Sequence, residues 1–144
     1  MEEKIYLTHT DDDTRGVASR LTGKLTGGDV LLLYGPMGSG KTTFTQGIAN
    51  TLGISRLTSP TYVTLNQYDI NVDSPIKILN HFDLYRLESE DQLRSVNFEE
   101  IIKDTNSLSV VEWPEKLKKL PDSYYQVVIR NIGQAQREIS IKKV

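Results

Sequence analysis

Apolar positions along this chain recur in two rhythms, and each rhythm predicts a kind of element. Lys4 to Thr8 (Lys-Ile-Tyr-Leu-Thr) is a short strand candidate. From Thr10 to Leu25, Val17, Leu21 and Leu25 fall on one helical face, with Asp11, Asp12 and Asp13 at the positive end and Gly27-Gly28 as a stop. Val30 to Tyr34 is an unbroken apolar run and reads as a buried parallel strand. Phe44, Ile48 and Leu52 return to helical spacing, closed by Gly53. Leu57 to Tyr62, rich in hydroxyls and holding Pro60, reads as an ordered surface loop.

Farther on, Tyr62 to Tyr68 and Ile76 to Phe82 alternate with period two around Asn71-Val72-Asp73-Ser74-Pro75, predicting a hairpin at an antiparallel edge. Ser89 and Gln92 have capping-box spacing ahead of a helix whose loose apolar face predicts a break near Asn97. Leu108 to Val111 is a second buried strand, and Gln126 to Asn131 and Glu138 to Lys142 are two more, joined at Gly133. The order predicts an α/β fold over residues 1–144, a single domain with a mainly parallel central sheet, antiparallel strands and helices on both faces. There is no internal repeat, low-complexity stretch or interdomain linker.

Composition narrows the picture little. At 144 residues the chain can bury a substantial core, and a net charge of −2 offers no global basic field for unaided nucleic-acid binding. The absence of cysteine excludes disulfides and thiolate metal sites. No apolar run reaches membrane-spanning length, and Met-Glu-Glu-Lys lacks a signal-peptide layout, so a cytoplasmic protein without membrane association is expected.

The chemistry is concentrated between the first buried strand and its helix. Gly35 to Thr42 fits G-x-x-x-x-G-K-[ST] in the strand-to-helix context that a phosphate-binding loop requires, predicting a P-loop NTPase domain. Gly35, Gly38, Ser39 and Gly40 supply main-chain N–H groups as a nest for phosphate oxygens. Lys41 brings charge to the terminal phosphates, and the Thr42 hydroxyl suits Mg²⁺. Asp11 to Asp13 read as helix capping, because three adjacent residues do not converge on a helix.

A carboxylate is needed near the metal, and both Glu112 and Asp83 follow apolar strands; spacing alone does not rank them. His81, in register with Asp83, is suited to orient it, to contact phosphate or to serve structure alone. Trp113 is suited to core packing or an exposed contact, and Arg130 and Arg137 are candidate cations for a polyphosphate. The only D-x-x-G precedes the loop and N-K-x-D is absent, which disfavours GTP and leaves ATP. The rival readings are a small-molecule or nucleotide kinase, with Arg86 or Arg94 in a lid, and a nucleotide-dependent binding module without turnover.

Four segments in order carry a family resemblance: Gly35 to Phe44, Ser59-Pro60-Thr61-Tyr62, His81-Phe82-Asp83-Leu84-Tyr85-Arg86-Leu87, and Val111-Glu112-Trp113-Pro114-Glu115. Together they resemble the TsaE (YjeE) family, bacterial P-loop ATPases of tRNA threonylcarbamoyladenosine (t6A) biosynthesis. The resemblance implies that Lys41 binds the terminal phosphates, Thr43 adds a phosphate contact, and Thr42 and Glu112 hold Mg²⁺. It implies that Ser59-Pro60-Thr61 is a switch-like loop, with Thr61 among the catalytic residues. Asp83 would be required for hydrolysis, Trp113 would lie near the nucleotide or a partner, and Thr10, Asp11 and Arg137 would border the pocket. The implied partners are TsaD and TsaB, which modify adenosine 37 of tRNA. The family member would act on tRNA only indirectly, its ATP hydrolysis resetting or remodelling the TsaD–TsaB complex.

The chain departs from the family pattern at Pro36-Met37 and Ser39, which replace Asp-Leu and Ala at variable loop positions. It also lacks the glycine that relatives often place near Asn97, leaving the helix break there in question.

Overall fold

The computed structural model describes residues 2–58 and 64–144. The switch-like loop expected at Ser59-Pro60-Thr61, Thr61 included, lies outside the described residues. Strand β1 (Lys4–Thr8) leads to helix α1 (Asp11–Thr22), then β2 (Val30–Tyr34) and α2 (Lys41–Thr51). The antiparallel pair β3 (Leu65–Asp69) and β4 (Ile78–Asp83) follows, then the short helices α3 (Glu90–Ser95) and α4 (Phe98–Lys103). Strand β5 (Ser107–Glu112), a 3₁₀ turn at Pro114–Lys116, and β6 (Tyr125–Asn131) and β7 (Arg137–Lys143) complete the chain.

The strands join one seven-stranded sheet in the order β1-β7-β6-β2-β5-β4-β3. The centre, β6-β2-β5-β4, is parallel, and β3 on one side and β7 with β1 on the other run antiparallel. The alternation of side chains across each strand divides the core in two. Leu31, Leu33, Leu79, Val110, Val127 and Ile129 pack with Val17, Leu21, Phe44 and Ile48 of α1 and α2. Val30, Leu32, Phe82 and Val111 face Leu93, Phe98 and Ile102 of α3 and α4 on the opposite side. The predicted fold class therefore holds, with helices on both faces.

Local chemistry sets the element ends. Thr10 caps α1, its hydroxyl accepting from Asp13 N–H at 3.0 Å, while the Asp13 carboxylate accepts from His9 N–H at 3.0 Å. Helix α1 stops at Thr22, three residues short of the predicted Leu25, and Gly27-Gly28 serves a different end from helix termination. A Cβ on Gly27 would lie 2.1 Å from the Thr105 carbonyl oxygen, so this glycine permits close passage of main chains. The predicted capping box at Ser89 is also altered. Ser89 makes no side-chain cap, and the Gln92 side-chain oxygen instead accepts from Glu88 N–H at 2.7 Å.

The break at Asn97 is present even without glycine. Asn97 adopts φ 58° and ψ 42°, the left-handed conformation that asparagine tolerates better than other side chains. Asn97→Val is expected to cost about 1–2 kcal/mol and Asn97→Gly close to nothing. Urea unfolding checks this through the midpoint at unchanged m-value.

Candidate functional site

Strand β2 ends among the carboxyl ends of its parallel neighbours, where open α/β sheets place their ligands. The loop that leaves it is shaped by glycine. A Cβ on Gly35 would stand 2.5 Å from Ser39 Oγ and 2.7 Å from the Ile129 carbonyl oxygen. Gly38 and Gly40 have φ of +75° and +105°, in the range other L-residues avoid. Gly40 is the N-cap of α2, no side chain caps this end, and no acidic residue occupies its first turn. The opening N–H groups of an eleven-residue helix are thus left to an anion.

Lys41 begins that helix and is buried. Its ammonium donates to the Gly35 carbonyl and to the Pro36 carbonyl at 3.2 Å, and it lies 4.0 Å above the Trp113 ring centre. Burial pushes the Lys41 pKa down, against the opposing pull of Glu112, Glu115 and Asp83. Thr42 is exposed toward the cavity and Thr43 half-buried beside it.

Arg137 clasps the loop from β7. Its Nε donates to the Ser39 carbonyl at 2.6 Å and one terminal nitrogen to the Gly38 carbonyl at 3.3 Å. The other terminal nitrogen donates to Gln136 and Gly133 carbonyls at 2.9 and 3.4 Å. Arg137 borders the cavity as expected, but four hydrogen bonds from its five N–H donors go to main-chain carbonyls, so it acts on the loop as well as bordering the cavity.

The two acidic candidates are neighbours: Asp83 ends β4 directly opposite Glu112 at the end of β5. They differ in support. Glu112 is buried, and its Oε2 accepts from His81 Nε2 at 2.5 Å. A carboxylate can only accept, so Nε2 carries the proton, and the buried Nδ1 has no partner among the described residues. His81 therefore orients Glu112 and not Asp83, the partner that register along its own strand suggests. Asp83 is half-buried, and its Oδ1 accepts from Tyr85 N–H at 3.1 Å in the turn after β4.

Pro36 to Thr43, Asp83, Glu112, Trp113, Arg137 and Asp11 line one cavity of about 670 Å³, ample for a nucleotide. Thr42, Asp83 and Glu112 place one hydroxyl and two carboxylates on that lining. Among the described residues no group of three or more His, Cys, Asp or Glu forms a metal cage. Such a sparse oxygen set fits Mg²⁺, which keeps waters and takes remaining ligands from phosphate. Sequence reasoning misses part of the wall: Thr64, Tyr85, Gln92, Ser95 and Val96 also border the cavity, and Arg86 stands there too. The Tyr85 ring packs 5.0 Å from that of Trp113. The sequence holds a weak signal for these residues, since Tyr85 and Arg86 follow Asp83 so closely that any turn there keeps them at the same sheet end.

Comparison with known proteins gives a consistent answer. Residues 8–139 match the family model described as "Threonylcarbamoyl adenosine biosynthesis protein TsaE". The chain is 34% identical to a Bacillus subtilis "tRNA threonylcarbamoyladenosine biosynthesis protein TsaE" over 100% of its own length and 88% of that relative. It is 39% identical to the protein of that name from Borreliella burgdorferi, over 76% of this chain and 78% of the relative. The crystal structure of Bacillus subtilis YdiB superposes with a TM-score of 0.75 at 30% identity, covering 97% of this chain and 84% of that one.

Proposed function

Because the chain belongs to the TsaE family of threonylcarbamoyl adenosine biosynthesis proteins, we propose that it is a Mg-ATP-dependent ATPase serving t6A formation on tRNA. Its hydrolysis cycle would reset or remodel a TsaD–TsaB complex. The observation that carries this reading is the convergence on one cavity of the loop residues Pro36 to Thr42, the uncapped start of α2, and the paired ends of β4 and β5; Gly35 shapes the loop without lining the cavity.

The loop N–H groups and Lys41 bind the phosphates of ATP. Thr42 and Glu112 would hold Mg²⁺, which would supply charge neutralisation to the phosphates. The hydrogen bond from His81 fixes the Glu112 carboxylate, as groups behind a metal ligand commonly do. Asp83, held by a single main-chain bond and more open, orients the attacking water. Trp113 covers Lys41 and excludes solvent from it. The protein's action on tRNA would be indirect, through the partner complex, and its place of work the cytoplasm. No helix among the described residues is long and apolar enough to cross a membrane.

The test compares phosphate release from ATP by the whole chain with and without TsaD and TsaB. Low activity alone and a marked rise with the partners is expected, with Asp83→Ala abolishing the stimulated rate while nucleotide still binds. Phosphate appearing on an added acceptor rather than in water would favour a kinase; equal rates with and without partners would refute the coupling.

A further inference from the structure

Among the described residues three cations border the cavity, Lys41, Arg86 and Arg137, and they differ in how their donors are used. Lys41 donates to two loop carbonyls and Arg137 to four main-chain carbonyls. Arg86 has no hydrogen bond or ion pair with any described residue, although it is exposed on the cavity wall. Arg94, the other arginine of this region, pairs with Asp91 and does not border the cavity.

The turn that carries Arg86 is firmly held. Leu84 N–H donates to the Glu112 carbonyl at 3.1 Å, Leu87 N–H to the Leu84 carbonyl at 3.0 Å, and both leucines are buried. Tyr85 N–H is fixed on Asp83, and its ring rests near Trp113. A fixed turn thus carries an arginine with no partner among the described residues, three positions beyond the proposed water-orienting Asp83, on the cavity lined by the phosphate loop.

The geometry points to Arg86 as an arginine finger supplied in cis, engaging the γ-phosphoryl group during hydrolysis. This inference rests on the ATPase reading above. In the step, the oxygen of water bonds to the γ-phosphorus and the bond from that phosphorus to the β–γ bridging oxygen breaks. ADP leaves with the electron pair, and the water proton passes to the released phosphate or to solvent. Arg86 gains and loses no proton. Its planar fork matches equatorial phosphoryl oxygens in a bidentate way, and its charge offsets what accumulates there. A flexible long side chain that reaches the γ-phosphoryl only in the reacting geometry adds to rate and little to ground-state binding.

The experiment uses the whole chain with Arg86→Ala and Arg86→Lys, folding being checked by circular dichroism. Calorimetry measures ADP, ATP and ADP–aluminium fluoride with Mg²⁺, and single-turnover hydrolysis is followed with and without TsaD–TsaB. Arg86→Ala is expected to slow hydrolysis about 10³-fold and to weaken ADP–aluminium fluoride while leaving ADP unchanged, with Arg86→Lys restoring little. Unchanged hydrolysis, unchanged ADP–aluminium fluoride affinity, or an equal loss for all three ligands would each overturn the assignment. Wild-type protein that binds no ATP would refute the reading beneath it and the inference together. Wild-type protein that binds ATP while Arg86→Ala behaves normally overturns the inference alone.

Discussion

Lys41→Ala is expected to weaken ATP binding by at least about 10²-fold while the fold survives. The lost interactions are charge-assisted hydrogen bonds, worth roughly 1.5–3 kcal/mol each, and about 1.4 kcal/mol corresponds to a tenfold change in affinity. Little stability should be lost in exchange. The ammonium is buried with its pKa pushed down, so the folded protein already bears a desolvation cost for it that the variant removes. The carbonyls of Gly35 and Pro36 lose a donor, which offsets part of that gain. Trp113 gives a convenient readout, because it is the only tryptophan and the Lys41 ammonium lies 4.0 Å from its ring. Its fluorescence should respond to Mg-ATP in the wild type and not in the variant, with calorimetry as the independent measure. Retained affinity in Lys41→Ala would mean that the Gly35–Thr42 loop is not the phosphate site.

A second large effect is expected where the helices behind the loop cross. Gly47 lies on α2 against α1, and a Cβ there would meet the Arg15 carbonyl oxygen at 2.6 Å, Arg15 Cα at 2.8 Å and Ala18 Cβ at 2.9 Å. Two of these are main-chain atoms, so relief requires α1 and α2 to separate. Gly47→Val is expected to destabilise by about 3 kcal/mol, the upper part of the usual overpacking range. For a chain of this size that corresponds to a Tm lower by roughly 10 °C. Gly16→Ala is the matched control on α1: nothing lies within 4 Å of its would-be Cβ. There the gain in helix propensity should raise stability by about 0.5–1 kcal/mol. Similar behaviour of the two variants in thermal unfolding would show that α1 and α2 do not cross so closely. Since α2 begins with Lys41, separation at Gly47 should also disturb the loop and weaken nucleotide binding.

The parts legible in the sequence are those that local chemistry dictates. Val30 to Leu33 and Ser107–Glu112 are buried on successive residues because both faces of a central strand are covered. The glycines of Gly35–Gly40 announce main chain that must turn and approach an anion, and the strand and helix beside them fix which end of the sheet it occupies. Asn97 keeps the predicted break because its side chain tolerates the left-handed conformation. Less legible are choices between chemically equal partners. Ser89 and Gln92 have capping-box spacing, yet Gln92 serves Glu88, since the entry angle of the chain selects which N–H is in reach.

Sequence alone determined that a loop of phosphate-binding pattern lies between a buried strand and a helix, and that two acids each end an apolar strand; only the structure pairs those two strands. The loop pattern and the strand-ending acids depend on residue type and short-range order, and no distant contact is needed to specify them. Only the tertiary structure decided that His81 serves Glu112, that Arg137 holds the loop carbonyls of Gly38 and Ser39, and that Arg86 keeps its donors uncommitted among the described residues. These pairings join residues far apart in the chain, and strand order and register set which of several eligible side chains meet. The same alternation of apolar residues is compatible with many such arrangements, so packing of the whole sheet, and no single segment, selects among them.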